Sequence, residues 1–364
     1  MSDGETFILD AVVHAYNYDP ANYAHPHAAV IAEMAYALIG RSPADYALSR
    51  DAYLRDWSVE EVADLMFLET DTDVGVFHPT PIMSFHDGLV AVAKAAEARR
   101  RWPQRFLPYA TVDALAGNEA LEELERQVEM FAPIGVKLYP MSWRHDRYPK
   151  GFRMDDPELL FPLYEKAQSL GIRSIAVHKA VPLGPVPMEP FAVGDMEAAA
   201  GQFPDLIFEI VHGGLAFAAE TGSMLARFPN VYVNLESLDV ILTLRPRRFA
   251  ELLARMLSAS GDYGLSKLFW ATGGMVQHPR LSLQAFLDFE IPDDVIERET
   301  SLVEIPQLTR ENKAKILGEN FVNALGLDIG KLRAAIADDE FAQKRRELGA
   351  DSPRPWATTA ALSI

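Results

Sequence analysis

The chain predicts a (β/α)8 TIM barrel. Eight short apolar runs recur along it, helical patterns lie between them, and turn residues mark the handover from helix to strand. The runs cover residues 7–14, 74–80, 106–111, 134–139, 173–178, 206–212, 231–235 and 268–272. Most are rich in β-branched residues, as parallel strands buried on both faces require.

Helical spacing fills residues 91–101, 119–131, 157–170, 195–202, 216–228 and 249–260. Trp102-Pro103, Pro133 to Gly135, Gly171, Phe203-Pro204 and Phe228-Pro229-Asn230 punctuate the ends. An open doubly wound sheet is the alternative architecture. Two insertions interrupt the rhythm: residues 19–70 after strand one and 140–157 after strand four. Both leave strand C-termini, the side where barrel loops build active sites. Residues 1–330 are expected to form the barrel. Residues 331–364 form a C-terminal extension, either a subunit-contact arm or a frayed end.

Composition narrows the chemistry. Of 364 residues, 49% are hydrophobic, enough for one large barrel. A net charge of −18 argues against nucleic acid, whose phosphates select basic surfaces, and against an anionic membrane. There is no cysteine, so disulfides, thiolate metal sites and cysteine nucleophiles are excluded. A metal would need imidazole, carboxylate, carbonyl, carbamate or water ligands. No apolar run reaches bilayer length, and the polar, acidic start is unlike a signal peptide. A cytoplasmic enzyme is expected.

Histidines supply the main functional signal. His14, His78, His178 and His212 end strands one, two, five and six. A barrel brings such positions to one mouth, so a shared metal site is expected over separate core histidines. Strict alternation puts Asp10 on the same side as His14, as a metal ligand, an orienting partner or a carboxylate capped by amides. Lys137, inside the apolar run Gly135 to Pro140, reads as a catalytic base, a carboxylate partner or a carbamate bridge, against a plain salt bridge. Glu236, at the end of strand seven, completes the site as ligand or proton shuttle, against a solvated loop acid. His212 is also a catalytic candidate.

Tyr139, Arg144 and His278 are placed as substrate-binding residues, with Arg147 beside Arg144. Gln277 and His278 either reach the mouth or cap the next helix. His25, His27, His86 and His145 lie in loops and are weaker candidates. No G-x-S-x-G elbow, P-loop, Rossmann fingerprint or H-E-x-x-H helix is present.

Over roughly residues 6–326 the chain resembles the amidohydrolase-2 family, which includes aminocarboxymuconate-semialdehyde decarboxylase and related aromatic-acid decarboxylases. The likeness rests on Asp10 to His14, Gly135 to Pro140, His178, His212-Gly213-Gly214, Phe228 to Val231, and the closing segment from Thr309 through Asn320 to Leu325. Two positions depart. The family's first strand reads Asp-x-His-x-His, but Val12 stands at the first histidine. Its eighth strand gives an aspartate where Gly273 stands here. The resemblance therefore implies a rearranged metal site or a lost one.

A rearranged site suits iron or manganese, one ion or two, with zinc as the alternative. On that basis the chain is similar to the two-subunit 2-aminoisobutyrate hydroxylases, which place an oxygen-activating dinuclear centre in this fold. That similarity implies O2-dependent hydroxylation of a small amino or carboxylic acid, with His14, His178, His212 and Glu236 as ligands. His78 and Asp10 would be additional ligands. It also implies an oligomer with a sister amidohydrolase-like subunit. The alternatives are a zinc hydrolase or nonoxidative decarboxylase, and a noncatalytic partner subunit.

Overall fold

A computed structural model describes residues 6–143, 148–349 and 353–359. Eight parallel strands form one sheet in chain order: β1 (Leu9–Val13), β2 (Val74–Phe77), β3 (Phe106–Thr111), β4 (Gly135–Leu138), β5 (Ser174–His178), β6 (Ile207–Val211), β7 (Val231–Asn234) and β8 (Leu268–Phe269). The sheet curls until its edges meet. Ala11 donates its N–H to the Trp270 carbonyl at 2.8 Å, and Val13 bridges Gly273 in parallel. The fold is thus the predicted barrel, which has no exposed sheet edge to manage.

Alternation along the strands makes two apolar layers. Val74, Val76, Leu107, Tyr109, Ala176, Val211 and Phe269 belong to one buried cluster, which fills the barrel. Phe77, Phe106, Val136, Ile175, Ile210 and Val233 belong to a second, larger one, beneath the helices. This is why the runs look continuously apolar in sequence. Gly135 is needed at the start of β4: a Cβ there would lie 2.4 Å from the Tyr109 ring.

The first insertion supplies a cover over the barrel mouth. Its helix His27–Ile39 lies there, followed by Val59–Phe67, whose start carries a reciprocal Ser58–Glu61 capping box. The second insertion holds a short antiparallel pair, Met141–Ser142 with Lys150–Gly151. Arg144, His145 and Arg147 lie outside the described residues.

The C-terminal extension packs back on the barrel. Helix Glu340–Leu348 buries Phe341 with its ring 5.2 Å from that of Phe67, and Asp339 pairs with Arg105 at 2.5 Å. Further on, Trp356 is buried; its backbone N–H donates to Glu69 at 2.6 Å and its indole N–H to the Tyr46 carbonyl at 2.9 Å. Among the described residues, no helix is long and apolar enough to cross a membrane.

Candidate active site

Local backbone form places the key side chains. β1 pairs with β2 through Asp10↔Gly75 and then Val13↔Phe77, so its register slips between Asp10 and Val13. The expected alternation of Asp10, Val12 and His14 is broken there. After β6 the chain turns through His212, Gly213 and Gly214, all at positive φ. A Cβ on Gly214 would meet Thr221 Oγ1 at 2.0 Å, so only glycine lets the turn lie this close. Ser237, after β7, also takes positive φ, at 68°. His212 and Ser237 are therefore both held in strained backbone, a condition that clusters at functional sites.

His14, Lys137, His178, His212 and Glu236 line one pocket of about 300 Å³. Its upper wall is the cover helix, through Ile31, Met34, Ala35 and Leu38. All five polar side chains are buried. His14 Nε2 lies 3.8 Å from one Glu236 oxygen, and His212 Nδ1 lies 3.6 Å from the other. His212 Nε2 is 2.9 Å from His178 Nδ1.

Carbonyls set the tautomers, because a carbonyl can only accept. His178 Nε2–H donates to the Val181 carbonyl at 2.6 Å, which leaves Nδ1 as the acceptor from His212 Nε2–H. His212 Nδ1 then accepts from the Ser237 hydroxyl at 2.9 Å. His14 Nδ1–H donates to the His78 carbonyl at 2.8 Å, so its Nε2 lone pair faces Glu236.

Burial dominates the electrostatics. It drives His14 down to about 3, with the Lys137 charge pushing the same way. His178 and His212 are also held well below the usual imidazole range, first by burial. All three are neutral at physiological pH, as metal ligands must be. Burial lowers Lys137 to about 8 against the pull of Glu236 and Glu209. Burial raises Glu236 to about 7, opposed by Lys137. One Glu236 oxygen, Oε2, is buried without a hydrogen-bond partner.

The remaining candidates stand elsewhere. Asp10 is the capped carboxylate of the three readings: it accepts from the Val12 N–H, from the Thr272 N–H and, at 2.5 Å, from the Thr272 hydroxyl. It does not line the pocket. His78 stacks on Tyr109 with centroids 4.2 Å apart, outside the pocket lining, and both its ring nitrogens lack partners. Tyr139 packs against the His178 ring at 4.6 Å and buttresses it rather than facing the cavity.

His278 is the clearest correction. It is fully buried, bonds Glu69 at 2.8 Å, and accepts the Arg280 N–H as cap of helix Pro279–Asp288. The proline after it starts a helix, so capping wins over reaching the mouth. Gln277 likewise turns inward to Ser282. His25 and His27 meet edge to face with centroids 4.3 Å apart, and neither they nor the exposed His86 line the pocket.

Sequence reading missed Ser237, Tyr16, Thr80 and Arg41, all pocket-lining. Ser237 had a signal in its adjacency to Glu236. The insertion that holds the cover helix was expected on this side of the barrel, but nothing in its spacing says which of its residues face the cavity.

Comparison with known proteins decides the family. The amidohydrolase family model matches residues 24–327.

The chain belongs to the amidohydrolase family.

Solved structures resemble this amidohydrolase at the level of fold. An uncharacterized TIM-barrel protein from Bordetella bronchiseptica is 20% identical with a TM-score of 0.60, over 88% of this chain and 98% of that one. The 5-carboxyvanillate decarboxylase of Sphingomonas paucimobilis is 15% identical, TM-score 0.52, over 89% and 100%. The 5-carboxyvanillate decarboxylase of Novosphingobium aromaticivorans, solved with manganese and a nitrobenzoic acid, is 13% identical, TM-score 0.56, over 90% and 98%. No curated protein sequence matches the chain.

The eighth-strand departure has a structural explanation in this amidohydrolase. Gly273 sits at φ 71°, and a Cβ on it would lie 2.9 Å from Glu236 Oε1. Glu236 thus fills the space a side chain at position 273 would enter. Val12 belongs to the apolar cluster inside the barrel, so nothing polar replaces the missing histidine at that position.

Proposed function

We propose that this amidohydrolase is a metal-dependent lyase or hydrolase acting on a small organic acid, with nonoxidative decarboxylation the reading favoured. The observation that carries it is the Glu236 carboxylate: buried, with Oε2 lacking a hydrogen-bond partner, facing His14 and His212, and standing where the family's eighth-strand aspartate would otherwise project.

The donor chemistry fits a divalent cation. Three neutral imidazoles and one carboxylate line one pocket, and His14 is oriented by a carbonyl bond through its other nitrogen. Among the described residues, no three histidine or acidic side chains already converge on one point. The reason is visible in the His178–His212 hydrogen bond, which occupies both facing nitrogens. Both rings could hold one ion once the His212 proton moves from Nε2 to Nδ1, where the Ser237 hydroxyl at 2.9 Å or Glu236 at 3.6 Å can accept it and the ring stays neutral. His14, His178, His212 and Glu236 would hold the ion, which when bound supplies Lewis-acid polarisation of a carboxylate or carbonyl.

The chain's own residues do the rest. Lys137, at about 8, is mostly protonated at neutral pH and can orient an acid group or return a proton. Losing carbon dioxide leaves an electron pair on carbon, and one proton must arrive there. Lys137 Nζ has no hydrogen-bond partner among the described residues and is free to deliver it. Ile31, Met34 and Leu38 help to exclude water from the pocket.

The manganese-bound Novosphingobium decarboxylase, similar in fold, supports a divalent ion and this reaction class. The O2-dependent dinuclear reading has less support. The two further ligands it would use, Asp10 and His78, lie outside the pocket lining. Elemental analysis of purified protein tests the proposal. One manganese, zinc or iron per chain is expected, with oxygen-independent release of carbon dioxide from a substrate acid. Metal-free protein with full activity would refute it, and two metals with O2 consumption would restore the hydroxylase reading.

A further inference from the structure

The chain has 12 tyrosines, and four of them stand in single file from the pocket to the surface. Tyr16 lines the pocket, with its ring 5.0 Å from that of His14. Tyr18 follows at 5.2 Å, Tyr53 at a further 5.6 Å, and Tyr36 at 6.3 Å beyond that. Every step lies within the contact range of packed aromatic rings. Tyr16, Tyr18 and Tyr53 are buried, while Tyr36, on the cover helix, is partly exposed. Separate elements supply them: the segment after β1, helix Arg50–Tyr53 and the cover helix. Two indoles branch off Tyr53, Trp57 at 6.4 Å and Trp356 at 5.9 Å beyond it. Both are buried, so the file reaches solvent at Tyr36.

Packing alone does not ask for phenols here. Phenylalanine, present 19 times in the chain, fills nearly the same volume and brings no hydroxyl to desolvate. A phenol adds one-electron chemistry. It gives up an electron and a proton to become a neutral radical, and it is restored by taking one of each. There is no cysteine to take the oxidation instead. Electron transfer falls off steeply with distance, so rings in contact pass an electron by short hops where one long jump is slow.

We infer that Tyr16, Tyr18, Tyr53 and Tyr36 form a one-electron path that carries an oxidising equivalent from the pocket to the surface. A peroxide-derived hydroxyl radical that reaches the pocket takes an electron and a proton from Tyr16 and becomes water. Tyr16 is refilled from Tyr18, Tyr18 from Tyr53 and Tyr53 from Tyr36, each transfer moving one electron and one proton. Tyr36 is restored by a reductant in solvent, ascorbate or a thiol, which is left oxidised by one electron. The site histidines beside Tyr16 are spared. This path is independent of which reaction the pocket performs.

Such a path conducts both ways, so a hole injected at its outer end tests it. Gly40 is exposed, four residues past Tyr36, and its φ of −63° accepts a side chain. Because the protein has no native cysteine, a ruthenium polypyridyl can be attached at Gly40→Cys alone. The labelled full chain is held in chelator, so the result does not depend on the metal reading, and the label is oxidised by flash and quench. Electron paramagnetic resonance of the frozen sample should show a tyrosyl radical that disappears in Tyr16→Phe, which places it at the pocket. Tyr18→Phe and Tyr53→Phe each keep a ring in place but break the file. Each should abolish the Tyr16 radical and leave one at Tyr36, with a melting temperature close to that of the labelled parent. Absence of a Tyr16 radical in the parent overturns the inference. So does a Tyr16 radical that survives either break, because the label then reaches the pocket without the file.

Discussion

A Cβ on Gly273 would stand 2.9 Å from Glu236 Oε1. The two positions compete for one volume at the barrel mouth, and glycine in the segment after β8 is the condition for the carboxylate in the segment after β7. Gly273→Ala should therefore displace Glu236. It should also cost about 1–2 kcal/mol for a left-handed non-glycine residue. Manganese affinity measured by calorimetry is expected to fall at least about tenfold. The double variant Glu236→Ala with Gly273→Asp should recover part of that loss, because it returns a carboxylate to the same space from the segment after β8. Unchanged affinity in Gly273→Ala would show that Glu236 is not a ligand.

The histidine pair makes a second prediction. His178→Ala and His212→Ala should each weaken manganese binding by about 100-fold or more, above the loss typical of outer partners. Proton NMR of the metal-free protein should show the proton shared at 2.9 Å between these rings, and manganese-free zinc loading should abolish that signal. A signal that persists in the zinc-loaded protein would rule out both rings as ligands.

Lys137 should carry a stability penalty. Its folded value is lowered from 10.5 to about 8. Below pH 8 both folded and unfolded chains bind the proton, and the folded state bears the whole cost of burying the charge. Between about 8 and 10.5 the folded state releases it first, so this contribution becomes less unfavourable as pH rises. Lys137→Met should stabilise metal-free protein at pH 7 by something on the order of 3 kcal/mol, and the gain should shrink by pH 10. Urea midpoints at the two pH values measure this, with activity lost in the same variant. A stability gain that does not depend on pH would place its origin in packing instead.

Glu69 gathers four groups. It accepts from the Trp356 N–H at 2.6 Å, the Thr358 N–H at 2.7 Å and the Thr358 hydroxyl, and it bonds His278 at 2.8 Å. The C-terminal segment is thereby pinned to the loop after β8. Trp356→Ala should cost about 3–5 kcal/mol, read as a lower denaturant midpoint. A chain ending at Gly349 should lose as much. If either variant keeps wild-type stability, the segment is a peripheral strap with no share in the core.

The barrel was legible because burial on both faces leaves a composition signature that survives without any contact being known. β3 was predicted at the bounds observed, Phe106–Thr111, and the other seven strands within a few residues. His14, His178, His212 and Glu236 were legible for a related reason: strand ends in a barrel share a mouth. Asp10 was misplaced because alternation holds only while the register does, and β1 shifts after Asp10. His278 misled because a histidine before proline reads alike as a loop ligand and as a helix cap. Arg144 falls outside the described residues and remains a substrate-binding proposal.

The sequence by itself determined the barrel, the absence of thiol chemistry, and which histidines end which strands. These follow from hydrophobic period and residue identity, both local properties of the chain. Tertiary structure alone decided that Glu236 takes the place left open at Gly273, that His178 and His212 share a proton, and that Arg41 reaches the pocket rim. Each depends on side chains from separate elements occupying one volume, and the distance between two strands is written nowhere in the order of their residues.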